Sequence, residues 1–186
     1  MDHFQLGRAA FEARQFAEAD THFKRAESAL APEELTALRE FQYQSAKILR
    51  PESCWREFYV VARLYADKFS PDNVLKFLEA ENECIPSMQK GTFYQMQASA
   101  YFTKGALTQS RDSATRHVEH LLAKKISTHL VTIAKKYEKW FPQSVYFQFI
   151  HLQALLLLED VVAASTQFHV ICKTVQRRWA KIEDKT

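Results

Sequence analysis

Glycine and proline are scarce in this chain, whose 186 residues include 3 Gly and 5 Pro. A β-rich domain of this length needs many turns, and turns favour these two residues. A proline between two amphipathic segments stops a helix without breaking one. All five stand in such places: Pro32, Pro51, Pro71, Pro86 and Pro142. The sequence therefore predicts an all-α fold.

Cysteine is also rare, and the three cysteines form no Cys-x-x-Cys pair. An odd thiol count argues against a disulfide framework and favours a reducing compartment. The N-terminus lacks the basic start and apolar core of a signal peptide. The most apolar run, residues 145–158, is too short to span a bilayer and carries polar side chains. We expect a cytoplasmic protein without a membrane span.

Motifs that carry chemistry are missing as well. Three isolated glycines cannot build a phosphate-binding loop, and neither a His-Glu-x-x-His nor a Gly-x-Ser-x-Gly sequence occurs. His117 and His120 are spaced to share a helix face, but a metal site needs three or four ligands. We therefore expect no catalytic residue, no metal site and no cofactor, and a protein that is not an enzyme.

Hydrophobic residues make up 47% of the chain and recur at the three- and four-residue spacing of amphipathic helices. Short connections between such helices make neighbours antiparallel. The pattern predicts ten helices, near residues 2–14, 16–30, 33–49, 53–69, 72–84, 90–104, 107–123, 125–141, 143–158 and 160–180. No linker interrupts them, which favours one domain over residues 1–186.

The last predicted helix, 160–180, carries an apolar stripe that we expect to face the core. Its members are Val161, Ala164, Phe168, Ile171, Val175, Trp179 and Ile182. The opposite side is polar, as a terminal capping helix requires because no further repeat covers it.

Small and bulky residues alternate between the first two predicted helices. Their order is Leu6, Gly7, Ala10, Phe16, Ala19, Phe23 and Ala26. This segment, within residues 3–32, resembles a tetratricopeptide (TPR) repeat. It departs from that pattern at His3, which replaces the usual Trp, at Ala10, which replaces an aromatic, and at Pro32, one residue late.

Weaker copies of the pattern lie in residues 58–86, 94–118 and 148–171, at uneven spacing. The helices near 33–49 and 125–141 have no partner in this scheme. The resemblance implies a right-handed TPR-like solenoid of about ten antiparallel helices. An irregular helical-repeat fold is the alternative.

In TPR proteins the first helix of each pair lines a concave groove that binds a peptide or a helix. The resemblance implies groove residues at Phe4, Arg8, Phe11, Glu12, Gln95, Ser99, Phe102, Tyr146, Phe149 and Gln153. Alternatively, Phe11 and Phe102 only pack against the next helix. The Lys and Asn set with which some TPR domains clamp a terminal carboxylate is not recognisable.

A row of basic residues follows the predicted helix 125–141 and includes Lys125, Lys136 and Lys139. Such a row attracts an acidic peptide, an anionic lipid surface or a phosphate backbone, although most lysine rows are only solvated helix faces. No aromatic residue is interleaved with these lysines, as single-strand binding would require. Nucleic acid is therefore the less favoured partner.

The helix near 143–158 is apolar around most of its circumference, so it must be covered on nearly all sides. Neighbouring helices cover it, or it leaves a surface that a partner or a second copy buries. We expect a non-catalytic adaptor or scaffold that binds another protein. The alternatives are a chaperone or assembly factor for a secretion or envelope complex, a nucleic-acid-binding helical repeat and a self-assembling homo-oligomer.

Overall fold

The computed structural model describes residues 2–28 and 30–183, and these residues form ten α-helices and no strand. The predicted all-α fold and the number of helices are confirmed. Over the same residues, no helix combines the length and the apolar character that crossing a bilayer requires.

The helices divide into two compact units, Met1–Lys104 and Gly105–Thr186. We refer to them as the N-terminal and the C-terminal unit. The first contains α1 His3–Glu12, α2 Phe16–Ala26, α3 Pro32–Leu49, α4 Trp55–Lys68, α5 Pro71–Ala80 and α6 Lys90–Thr103. The second contains α7 Leu107–Ala123, α8 Ser127–Trp140, α9 Val145–Leu157 and α10 Val161–Glu183. A single repeat domain over residues 1–186 stays a prediction.

Within each unit, each helix packs against its neighbours in sequence. α3 contacts both α2 and α4, and α8 contacts both α7 and α9. The two helices that had no partner in the repeat pattern are thus integral members of their units.

The close contact between α1 and α2 follows from their small residues. Gly7, Ala10 and Ala19 are buried, and the ring of Phe23 lies directly over Gly7. A Cβ atom at position 7 would lie 2.6 Å from two atoms of that ring. Since Phe23 is fully buried, the ring has no room to withdraw. The alternation of small and bulky residues in the sequence is therefore a real packing contact.

Three helical hairpins close with the same turn. Arg14, Lys125 and Glu159 adopt left-handed conformations, with φ of 61°, 54° and 59°. In each case the next residue donates its N–H to the carbonyl five residues earlier, a bond that caps the helix. Gly105, with φ of 80°, takes the same conformation between α6 and α7.

The α10 stripe is where the sequence prediction and the structure differ. Ala164 and Ile171 are buried as expected, but Val161, Phe168 and Trp179 are exposed. The reason is that buried Gln167 occupies the middle of the inward face, where it donates to Glu138 Oε1 at 3.1 Å. α10 is thus rotated away from its apolar stripe. The side chain of Ile182 lies outside the described part of the chain.

Candidate functional site

The predicted groove residues on α1 are only partly available to a partner. Phe4 is buried, and Phe11 is half-buried with its ring edge-on to Phe41 at 5.3 Å. Both rings therefore belong to the core, which was the alternative interpretation of Phe11. Arg8 and Glu12 are exposed, and the Arg8 guanidinium lies 6.0 Å from the centre of the Phe41 ring.

The predicted residues on α6 share one side of that helix, but none of them is exposed. Gln95, Ser99 and Phe102 are all half-buried. The Ser99 carbonyl accepts a hydrogen bond from the Thr103 hydroxyl at 3.0 Å. This side of α6 offers a partner little free apolar surface.

The predicted residues on α9 are all exposed. Tyr146, Phe149 and Gln153 lie on one side of the helix, and Phe149 is 51% exposed. The other side of α9 carries Phe147 and Ile150, which are buried in the C-terminal unit. Of the three predicted groups, this one has the exposure that binding needs.

Sequence reasoning missed the continuation of this surface. Leu156 is 56% exposed, and Val162, just beyond the α9–α10 turn, is 80% exposed. We name the combined surface the apolar face; it comprises Tyr146, Phe149, Leu156, Leu157, Leu158, Val161 and Val162. The sequence carries no signal for it, because apolar residues surround α9 and the helical period then does not show which side is exposed.

A cleft of about 490 Å³ adjoins Tyr146 at the turn between α8 and α9. Trp140, Phe141 and Tyr146 line it, together with the arginines Arg111 and Arg178. Burial raises the pKa of Tyr146, and a hydrogen bond to the Glu119 carboxylate raises it further. Arg and aromatic side chains of this kind often dominate the energy of protein interfaces.

A second cleft, of about 480 Å³, lies between α8, α9 and α10 and has a polar floor. We name it the polar cleft. Gln148, His151 and Gln167 are buried there, and the Nδ1 atom of His151 lies 2.9 Å from Glu138 Oε2. Gln148 Nε2 donates to the hydroxyl of Thr174 at 3.1 Å. The three helices are joined by these bonds, so the cleft is held in shape.

The predicted basic row does not form a continuous strip. Lys125 occupies the left-handed turn before α8 and is exposed, as is Lys139 near the end of α8. Lys136 is half-buried, with its ammonium 4.5 Å from the centre of the Trp140 ring. Burial lowers the pKa of Lys136. The exposed lysine on the same side of α8 as Lys139 is Lys135.

His117 is also removed from the surface. It is buried between α7 and α8, with Nδ1 2.8 Å from the Tyr137 hydroxyl. Burial lowers its pKa to about 3, and the neighbouring His129 adds to that effect. A neutral imidazole with a hydrogen-bond partner is a structural member of the core.

No protein-family model matches the chain, and no curated protein resembles it significantly.

Proposed function

We propose that this protein is a non-catalytic adaptor that binds an apolar helix or peptide of another protein on the apolar face. The observation that carries the proposal is the exposure of Phe149 and Leu156 on α9 and of Val162 in the first turn of α10. Contiguous exposed apolar side chains are a marker of interaction surfaces in proteins that otherwise bury them.

The arrangement suits the docking of an amphipathic helix. Tyr146, Phe149 and Leu156 follow the three- and four-residue spacing by which two helices pack along a seam. Full burial of one such side chain contributes roughly 1.5–3 kcal/mol, so half-exposed residues contribute about half of that each. Since the inner side of α9 is already packed, the partner bears most of the ordering cost.

We also propose that the helices continue as TPR-like pairs, in the right-handed solenoid that the resemblance implies. The contact of Gly7 with Phe23 and the three equivalent turns at Arg14, Lys125 and Glu159 support this. Repeat proteins of this kind present extended binding surfaces. A cytoplasmic location remains part of the proposal.

Site-specific photo-crosslinking in the native cell tests the adaptor function. A photoreactive phenylalanine analogue replaces Phe149 in one strain and Ile48 in another. Ile48 is the matched control, because it is 53% exposed against 51% for Phe149 but lies on α3. We expect a discrete crosslinked partner from position 149 and none from position 48. Equal crosslinking from both positions, or none from either, would contradict the proposal.

The apolar face also fits a second copy of the chain. Sedimentation velocity over a range of concentrations distinguishes this case, since self-association gives a larger species as the concentration rises. Phe149→Ser then abolishes the larger species, whereas Ile48→Ser leaves it. If the protein stays monomeric at every concentration, the partner that covers the apolar face is a different protein.

A further inference from the structure

Three cations line the polar cleft. Lys135 and Lys139 come from α8 and Arg177 comes from α10, and all three are exposed. Within the described residues, no carboxylate lies within 4.0 Å of any of their charged atoms. The rim of the cleft therefore carries three positive charges that no acid of the described chain neutralises.

The one carboxylate among the lining residues is already committed. Glu138 Oε1 accepts the amide of Gln167 at 3.1 Å, and Oε2 lies 2.9 Å from His151. Both oxygens are thus held at the floor rather than at the rim. The cations stay available for an acid that comes from outside.

The floor of the cleft also has a hydrogen-bond acceptor without a donor. Gln148 is only 2% exposed, and no described residue donates a hydrogen bond to its Oε1, although its Nε2 donates to Thr174 and to the Pro142 carbonyl. A buried polar atom of this kind costs about 1–3 kcal/mol until a donor reaches it. The atom is inaccessible in this structure, so an outside donor such as a peptide N–H reaches it only when the side chain of Gln148 moves.

We infer that the polar cleft binds an acidic segment of the protein partner, whose side-chain carboxylates pair with Lys135, Lys139 and Arg177. This inference rests on the proposed function, since it assigns a second contact to the same partner. A peptide N–H of the segment supplies the donor for Gln148 when that side chain moves towards it. Partly enclosed ion pairs of this type give specificity and a faster encounter as well as affinity.

The geometry favours an acidic peptide over a nucleic acid. A phosphate backbone needs a long row of cations, and the row is interrupted where Lys136 turns onto Trp140. The three cations instead surround one open cleft of about 480 Å³, enough for a few residues. Carboxylates at neighbouring positions of a peptide match such a compact set.

Titration of the full-length protein with a fluorescein-labelled acidic peptide tests the inference. The peptide alternates Glu and Ser and has an amidated end, so that its own carboxylates are all in side chains; a Gln–Ser peptide of equal length with the same label is its control. We expect the acidic peptide to bind at least about tenfold more tightly than its control. The Lys139→Glu and Arg177→Glu variants should each weaken it about tenfold, and the side-chain amide signal of Gln148 should shift in NMR spectra.

Lys173→Glu is the matched control variant, because it changes the net charge equally on α10 but does not line the polar cleft. An equal loss in Lys173→Glu, or a single-stranded oligonucleotide that binds more tightly than the acidic peptide, would overturn the inference. The peptide has no apolar residue, so Phe149→Ser leaves its affinity unchanged. A failure of the apolar-face proposal is thereby distinguished from a failure of this one.

Discussion

At the scale of single residues, the tightest packing is found at Gly7. Its hydrogen faces two ring atoms of fully buried Phe23 at a distance that no Cβ atom tolerates. Overpacking of a core costs about 1–3 kcal/mol, whereas Ala is better than Gly in a helix by about 1 kcal/mol. We expect Gly7→Ala to lower the free energy of unfolding by up to about 2 kcal/mol in urea titrations.

A double mutant separates the contact from other effects of this substitution. Adding Phe23→Leu to Gly7→Ala gives the new methyl group space. The double mutant should therefore lose less unfolding free energy than the sum of the losses in the two single mutants. An unfolding free energy that rises in Gly7→Ala would show that α1 and α2 are not in contact at this point.

The second residue-scale prediction concerns pH. The pKa of His117 is about 3 in the folded protein, against about 6.5 for an unperturbed histidine. As the pH falls, the unfolded chain therefore binds the proton before the folded protein does. The contribution of neutral His117 to the free energy of unfolding is fully present above pH 6.5 and is lost as the pH falls towards 3. The loss approaches about 1.4 kcal/mol per pH unit in that window.

His117→Gln removes the titration while it keeps a polar group beside the Tyr137 hydroxyl. Chemical denaturation at several pH values should give a flatter stability curve below pH 6.5 for this variant than for the wild type. Curves of equal slope would show that His117 is not protonated on unfolding.

At the scale of the helical elements, the left-handed turns are a source of strain. Residues with a Cβ atom lose roughly 1–2 kcal/mol in this conformation, and Gly does not. We expect Arg14→Gly, Lys125→Gly and Glu159→Gly each to stabilise the fold by about 0.5–1 kcal/mol. The rest of the relieved strain is offset because Gly raises the conformational entropy of the unfolded chain.

Gly105→Ala provides the reverse comparison, because it places a Cβ atom in the same conformation, with φ of 80° and open space around it. In thermal melts, the melting temperature should therefore rise for the three variants that introduce Gly and fall for Gly105→Ala. A Gly105→Ala variant as stable as the wild type would contradict the assignment of strain to this turn.

Sequence reasoning placed the helices well because their boundaries are set locally. Pro32 and Pro71 each begin a helix, and the sequence pattern already separated α7 from α8 at residue 124, although it placed Lys125 and Ile126 in the second helix rather than in the turn. The predicted helix 72–84 is too long, because residues Asn82–Cys84 tighten into a 3₁₀ turn. There the Glu81 carboxylate accepts hydrogen bonds from Tyr43 and Lys47, contacts that no local pattern contains.

The rotation of a helix was harder to predict than its extent. In α10, the polar Gln167 points inward because it reaches Glu138 and the Gln148 carbonyl, which are distant in sequence. In α9, apolar residues surround the helix, so periodicity carries no phase information. The exposed side of α9 could therefore be recognised only from the packed structure.

At the scale of the whole molecule, exposure separates the three predicted groove groups. The α1 and α6 residues belong to the N-terminal unit and are largely committed to packing, except for Arg8 and Glu12. The α9 residues belong to the C-terminal unit and are exposed beside further apolar side chains. A single sequence predicts which helix faces are candidates, but not which of them a neighbouring helix covers.

The affinity for the crosslinked partner tests the central claim most directly. Isothermal titration calorimetry with purified partner compares the wild type with the Phe149→Ser and Ile48→Ser variants, each checked for an unchanged circular dichroism spectrum. Loss of about 1.4 kcal/mol corresponds to a tenfold change in Kd. We predict at least that loss, with a less negative binding heat capacity, for Phe149→Ser alone. Equal Kd values for all three proteins would contradict a binding function of the apolar face.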